Sequence, residues 1–325
     1  MRNFCAMGSG LLRYGSACRP PGIVAVPQER RPSTTMWAGW PVDLWKTGLS
    51  CVIHPVDGRT LRLPLMRLVT YDRGGQRRLG AILEGEVVDL PDAVGHPAFP
   101  TTLEGFVTSS RGTVMDAAGA ALERDDAHAW DVPKPRILTP LFPRSLISPG
   151  SMEVARMTVG PEHEVPWPSD AAWLEYEPKV AAVLGREARR IVVEEVRDHV
   201  FGYTLVNDWR ARDASGAPVE TSAGLPLSIG PCVVTADEVD PQTMFLTVKV
   251  DGDEVAKGNL NGAAWNLARL IAGASELGEL ERGDAFALGP FARPAPDPGR
   301  QLWPGALVEL AAEGIGTLRN TIAAR

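Results

Sequence analysis

Residues 173–213 read WLEYEPKVAAVLGREARRIVVEEVRDHVFGYTLVNDWRARD, and the reading of this stretch decides the fold. Its first segment alternates Glu175, Glu177 and Lys179 with Tyr176, Pro178 and Val180. A strand repeats every two residues, so the three charges project from one face. The apolar run Val180–Leu184 follows and stops at Gly185, and a second hydrophobic strand, Val200–Val206, leads into Asn207-Asp208. Carboxylates on one strand and another at the end of the next make a site for a hard cation, which takes oxygen ligands held on rigid elements. The plain alternative is that residues 175, 177 and 179 form the solvated face of an edge strand.

The segment from Gly185 to Asp213 resembles the core of the fumarylacetoacetate hydrolase family, whose text runs roughly D-Y-E-x-E-L-A-V-V-I-G-R, then V-x-G-Y-T-x-x-N-D-x-S-A-R-D. Met66–Asp89 (MRLVTYDRGGQRRLGAILEGEVVD) resembles the family's small N-terminal domain. Gly230–Val239, the stretch ending in Gly283-Asp284, and Glu313–Asn320 (EGIGTLRN) match further landmarks in order, so the resemblance spans about four fifths of the chain. It implies a mostly β, α+β architecture: a mixed β-roll (residues 141–325) preceded by a small α+β domain (residues 66–140). Residues 1–65 are expected to be a poorly ordered extension. The resemblance further implies a homodimer.

Family members bind a β-dicarbonyl or 2-keto acid on a divalent metal held by three or four carboxylates. The metal stabilises the enolate formed as a C–C bond breaks, a proton moves or carbon dioxide leaves. Carried over residue by residue, the metal ligands are Glu177, at the first glutamate of Y-E-x-E, and Asp208, in N-D. The second glutamate position, judged by its distance to Gly185, holds Lys179, and an ammonium repels a cation. Two outcomes follow. Either Lys179 replaces the metal within a Lys–carboxylate cluster, or a two-residue slip brings Glu175 and Glu177 forward as the pair, against the preserved spacing to Gly185. Lys179, as a lysine flanked by carboxylates that can titrate or form a Schiff base with a keto substrate, is a candidate catalytic residue together with Arg212 and Asp213; the resemblance implies Mg²⁺, Mn²⁺ or Ca²⁺ as the cofactor. A structural ion pair is the competing role for Lys179.

Other family parts are replaced. Gly150–Arg156 reads GSMEVAR and lacks the general-base histidine; His163, flanked by Glu162 and Glu164, reads as a loop residue. Thr221–Gly224 stands where the family has a lysine, Ser215 where it has a glutamine, and Ala287–Ala292 (ALGPFA) where it has its substrate loop. Landmarks of the scaffold persist while the site has changed.

With 325 residues, 44% hydrophobic and 22% charged, the chain has enough length for two domains and a large core. A formal net charge of −7 argues against a nucleic-acid footprint, and no apolar run reaches membrane-spanning length. Cys5, Cys18, Cys51 and Cys232 are far apart, which fits free thiols in a reducing cytoplasm. Arg2, Arg13, Arg19, Arg30 and Arg31 face only Glu29 in the first 42 residues, a balance shared with transit peptides. Met66 also reads as the natural start, since family members begin in the manner of MRLVTY. Three functions remain in view: a metal-assisted enzyme on small keto or enol acids, a metal-independent lyase or isomerase using Lys179, and a silent relative that binds a small acid or a partner.

Overall fold

The computed structural model describes residues 66–109, 111–149, 151–153, 157–219, 224–261, 266–291 and 301–324. The expectations for residues 1–65, for Cys5, Cys18 and Cys51, for Thr221–Ala223 and for most of the proline-rich segment 290–298 fall outside the described residues.

The chain begins with a three-stranded meander: β1 (Arg67–Arg73), β2 (Gln76–Leu83) and β3 (Glu86–Asp89). Gly74 and Gly75, with φ of 63° and 85°, close the first hairpin, as the Asp-Arg-Gly-Gly sequence predicts. Three helices follow, α1 (Leu90–Val94), α2 (Leu103–Thr108) and α3 (Arg111–Leu122). The sequence pattern suggests helices at Thr102–Val107 and Ala117–Arg124 and none at Leu90–Val94; α2 matches the first, α3 starts six residues before the second, and α1 is too short to carry a periodic signal. Phe106 of α2 meets Phe99 and Phe201 edge-on at 5.8 and 6.0 Å, tying the helices to the sheet.

Short strands β4 (Leu146–Ser148), β5 (Ser151–Glu153), β6 (Thr158–Val159) and β7 (Glu164–Val165) lead to the long pair β8 (Trp173–Leu184) and β9 (Val200–Arg212), joined through α4 (Val196–His199). Then come β10 (Leu227–Thr235), β11 (Leu246–Val250), β12 (Asp253–Gly258), α5 (Leu267–Leu277), β13 (Ala285–Leu288), β14 (Leu307–Ala312) and β15 (Gly316–Ile322). Sequence periodicity placed the last helix at Asn261–Leu277. The described helix opens at Leu267, capped by the Asn266 side chain on Arg269 N–H, and Trp265 lies outside the described residues.

One sheet runs β3-β2-β1-β10-β9-β8-β13-β4-β5, with β6 on β10; a second runs β12-β11-β14-β15-β7. Pairing is mostly antiparallel, with parallel contacts at β10–β6, β13–β4 and β15–β7. The N-terminal meander joins the first sheet through Arg67 opposite Val234, so the sheet continues across the boundary read near residue 140.

The strand pair β8/β9 has two unlike faces. One carries Leu174, Tyr176, Trp209 and Ala211, all buried in the main core, with Tyr176 directly opposite Trp209 and the Trp209 indole N–H donating to Ser228 Oγ at 2.9 Å. The other carries the charges near solvent, then Ala181 and Val206, which pack with Leu146, Leu227, Ile229, Ala285 and Ala287 in a separate small cluster. A one-residue slip would drive the charges into the core, so burial of the aromatic pair sets the register. Pro178 is tolerated inside this strand because the β13 ladder ends at Val180, opposite Leu288, and no bond to β13 is lost.

Candidate active site

The site forms where the charged face of β8/β9 passes from half-exposed to buried. Along β8 the exposure alternates up to Pro178 and is then lost on both faces; along β9 it reappears at Arg210 and Arg212. Register places Glu177 directly opposite Asp208, with Lys179 opposite Val206 and Glu175 opposite Arg210. These side chains therefore share one face.

Lys179 is 7% exposed and Asp208 1%. The Lys179 ammonium donates to Asp208 Oδ2 at 2.7 Å and lies 3.5 Å from Glu177 Oε2. Arg210 closes the cluster from the other side, donating through Nη2 to the same Asp208 oxygen at 2.7 Å, with Nε 3.4 Å from Glu177 Oε2. Asp208 is thus gripped by two cations, whereas Glu177 touches both more loosely. Turning out of β13, Gly289 packs on the stem of Lys179: a Cβ there would sit 2.4 Å from Pro178 O and 2.8 Å from Lys179 Cγ. Only glycine permits that approach, and it brings the segment read as the former substrate loop against the lysine.

The structure brings Glu177, Lys179 and Asp208 together and leaves three other candidates, Glu175, Arg212 and Asp213, outside. Glu175 accepts from Arg212 Nε at 3.0 Å and from Trp173 Nε1 at 3.4 Å, so it forms a second pair farther along the strands; the two-residue slip is not adopted. Asp213 turns away into its own loop, where Oδ1 accepts from Ser215 N, Ser215 Oγ and Ala217 N at 2.8, 2.6 and 3.0 Å. Hydrogen bonds from Ser215 and Ala217 hold its carboxyl below the usual range. Asp213 thus shapes a turn, because its short side chain satisfies the local N–H groups first.

Arg210 escaped the sequence reading. Its signal was present, since the family text N-D-x-S-A-R-D has serine where this chain has Arg210. His163, read as a loop residue, lines a cleft of about 800 Å³ with Arg77, Arg136, Phe142 and Arg319, whose lining does not include Lys179 or Glu177. Cys232 is free and buried, its thiol hydrogen-bonded to Ile315 O and pushed up to about 12 by burial.

The donor set does not fit a divalent metal. Glu177 and Asp208 are the surviving carboxylates, and both face Lys179 and Arg210. A cation placed between them would meet two fixed positive charges. Among the described residues, no group of three or more His, Cys, Asp or Glu side chains is arranged to hold a metal ion. Also among them, no helix is long and apolar enough to cross a membrane.

Comparison with known proteins bears on the scaffold. The chain is 32% identical over 146 residues to the oxaloacetate tautomerase fahd2 of Xenopus laevis, covering 42% of this chain and 44% of that protein. Against the oxaloacetate tautomerase YisK of Bacillus subtilis it is 31% identical over 156 residues, covering 46% and 52%. The chain thus spans about half the length of these curated relatives. The crystal structure of maleylpyruvate hydrolase from Sphingobium sp. SYK-6, in complex with manganese(II) and pyruvate, superposes with a TM-score of 0.64 at 23% identity, covering 80% of this chain and 99% of that one. Residues 115–323 match the model of the fumarylacetoacetate (FAA) hydrolase C-terminal domain. The chain belongs to the fumarylacetoacetate hydrolase family.

Proposed function

We propose that the protein is an enzyme for small keto or enol acids, and that it moves a proton between carbon and the enol oxygen at the Glu177–Lys179–Asp208–Arg210 cluster. The observation that carries this reading is the arrangement of two cations on one buried aspartate, with a looser, partly exposed glutamate beside them. Its support in kind comes from the family and from the names of the two relatives as tautomerases.

Arg210 has a side chain 41% exposed and bonds to Asp208 through one terminal nitrogen. Its remaining N–H donors suit a substrate carboxylate, which guanidinium reads in a planar, paired fashion. Lys179, as an ammonium, has donors and no lone pair. It therefore serves as an electrophile facing the carbonyl oxygen, where negative charge grows as the neighbouring C–H bond breaks. Asp208 holds both cations in place. Glu177, with a side chain 27% exposed and no contact shorter than 3.4 Å to either cation, takes the proton from carbon and returns it to carbon or to the enol oxygen. The step is a tautomerisation and needs no co-reactant.

The test is proton–deuterium exchange at C3 of oxaloacetate and other small 2-oxo acids in D₂O, followed by NMR with chelator present. Exchange accelerated by the wild type and lowered about 100-fold in Glu177→Gln is the expected outcome. The mutual pairing of the four side chains favours a second reading, a binding protein without turnover. Saturable stabilisation by a keto acid without any exchange would select it over the first.

A further inference from the structure

We infer that Lys179 is a covalently tethered substitute for a divalent cation, and that this single side chain, seconded by Arg210, makes the site refuse metal. The inference concerns what the site binds and stands independently of which reaction it performs.

The reasoning is electrostatic. Two carboxylates and one ammonium carry a formal charge of minus one, the same as three carboxylates around a divalent ion. Replacing one carboxylate ligand by lysine removes a negative charge and adds a positive one, which equals the charge of the ion that would be lost. Geometry agrees with the arithmetic. The ammonium occupies the space between Asp208 Oδ2, at 2.7 Å, and Glu177 Oε2, at 3.5 Å, where a cation shared by these carboxylates would lie. Lys179 is anchored there, because its stem is clamped by Gly289 and its side chain is 8% exposed. Arg210 adds a second positive charge on the same two carboxylates, taking the cluster to neutrality. A divalent ion would have to displace two tethered cations from their partners. The scaffold that surrounds the pair, with Glu177 still opposite Asp208, remains suited to the ion once they are removed.

The experiment restores the family text. Full-length Lys179→Glu/Arg210→Ser and wild-type protein, both stripped with chelator, are titrated with Mn²⁺ by calorimetry and by loss of the free-ion signal in electron paramagnetic resonance. Wild type is expected to show no site tighter than about 1 mM, and the double variant one site at least about 100-fold tighter. One micromolar Mn²⁺ site in the wild type, lost in Asp208→Asn, overturns the inference. A double variant that melts cooperatively and binds no Mn²⁺ overturns it as well. Should the double variant not fold, Lys179→Gln decides: a saturable Mn²⁺-dependent rise in its melting temperature supports the inference, and none at about 1 mM overturns it.

Discussion

Asp89 and Asp208 are both buried aspartates that accept hydrogen bonds from two cationic side chains, yet they sit in different company. Asp89 accepts from Arg73 Nη1 at 2.6 Å, Arg78 Nε at 2.6 Å, the Tyr71 hydroxyl and the Asp92 N–H, where it caps helix α1. Burial alone would raise its carboxyl, and the bonds from Arg78 and Tyr71 override this and hold it below the usual range. These partners come from the β1–β2 hairpin and the first turn of α1, all within about twenty residues of the chain. Asp208, by contrast, draws its cations from a strand pair whose far half opens to solvent, beside a glutamate held only at 3.4–3.5 Å. A network that saturates its acceptor from local partners fixes structure. One that leaves a loosely held carboxylate and part of a guanidinium facing outward retains capacity for a ligand.

The contrast predicts unequal responses to mutation. Asp89→Ala strands the buried Tyr71 hydroxyl, removes the cap of helix α1 and leaves Arg73 and Arg78 with Asp92 alone, and is expected to cost about 3 kcal/mol of stability. Thermal denaturation should show a fall of roughly 10 °C, with the activity of the remaining folded protein unchanged. Lys179→Met should do the reverse. A loss in kcat/KM of about 100-fold, equivalent to about 2.7 kcal/mol, is expected with a smaller fall in stability; equal effects on both would make the two aspartates alike.

Glu238 sharpens the comparison from the other side. Burial raises its carboxyl to about 7, with Arg67 opposing and Asp237 adding to the shift. A folded value above the unfolded one means stability is full below the ordinary glutamate range and falls as pH rises through about 7. Glu238→Gln should therefore melt higher than wild type at pH 8, by about 1 kcal/mol after screening, and show no gain at pH 4. Smallest of all is Arg212→Ala. Its pair with Glu175 is about a quarter exposed on each side, and its removal should cost no more than about 0.5 kcal/mol by chemical denaturation.

Much of this is legible in the residues alone. The alternation of Glu175, Glu177 and Lys179 places them on one face through the covalent geometry of a strand, and the spacing to Gly185 sets Lys179 where the family text has its second glutamate. The runs Arg67–Tyr71, Arg78–Leu83 and Gly316–Ile322 mark β1, β2 and β15, Val200–Val206 marks the first half of β9, and Gly74-Gly75 marks the hairpin between β1 and β2. Helix α1 was missed because five residues carry no helical period.

What the chain alone could not decide is which charges meet. Alternation says that side chains share a face but not which partner stands opposite, and that choice belongs to the register of β8 on β9. Register follows from burying Tyr176 against Trp209 and the apolar residues beyond them, a sum over many long-range contacts with no local signature. It brought Arg210 into the cluster, sent Glu175 to Arg212, and left Asp213 to its own turn. The sequence by itself determined the family, the strand faces and the lysine in place of the family's second glutamate, because these depend on residue type and spacing. Only the tertiary structure decided that two cations grip one aspartate, because that depends on which strands the core holds side by side.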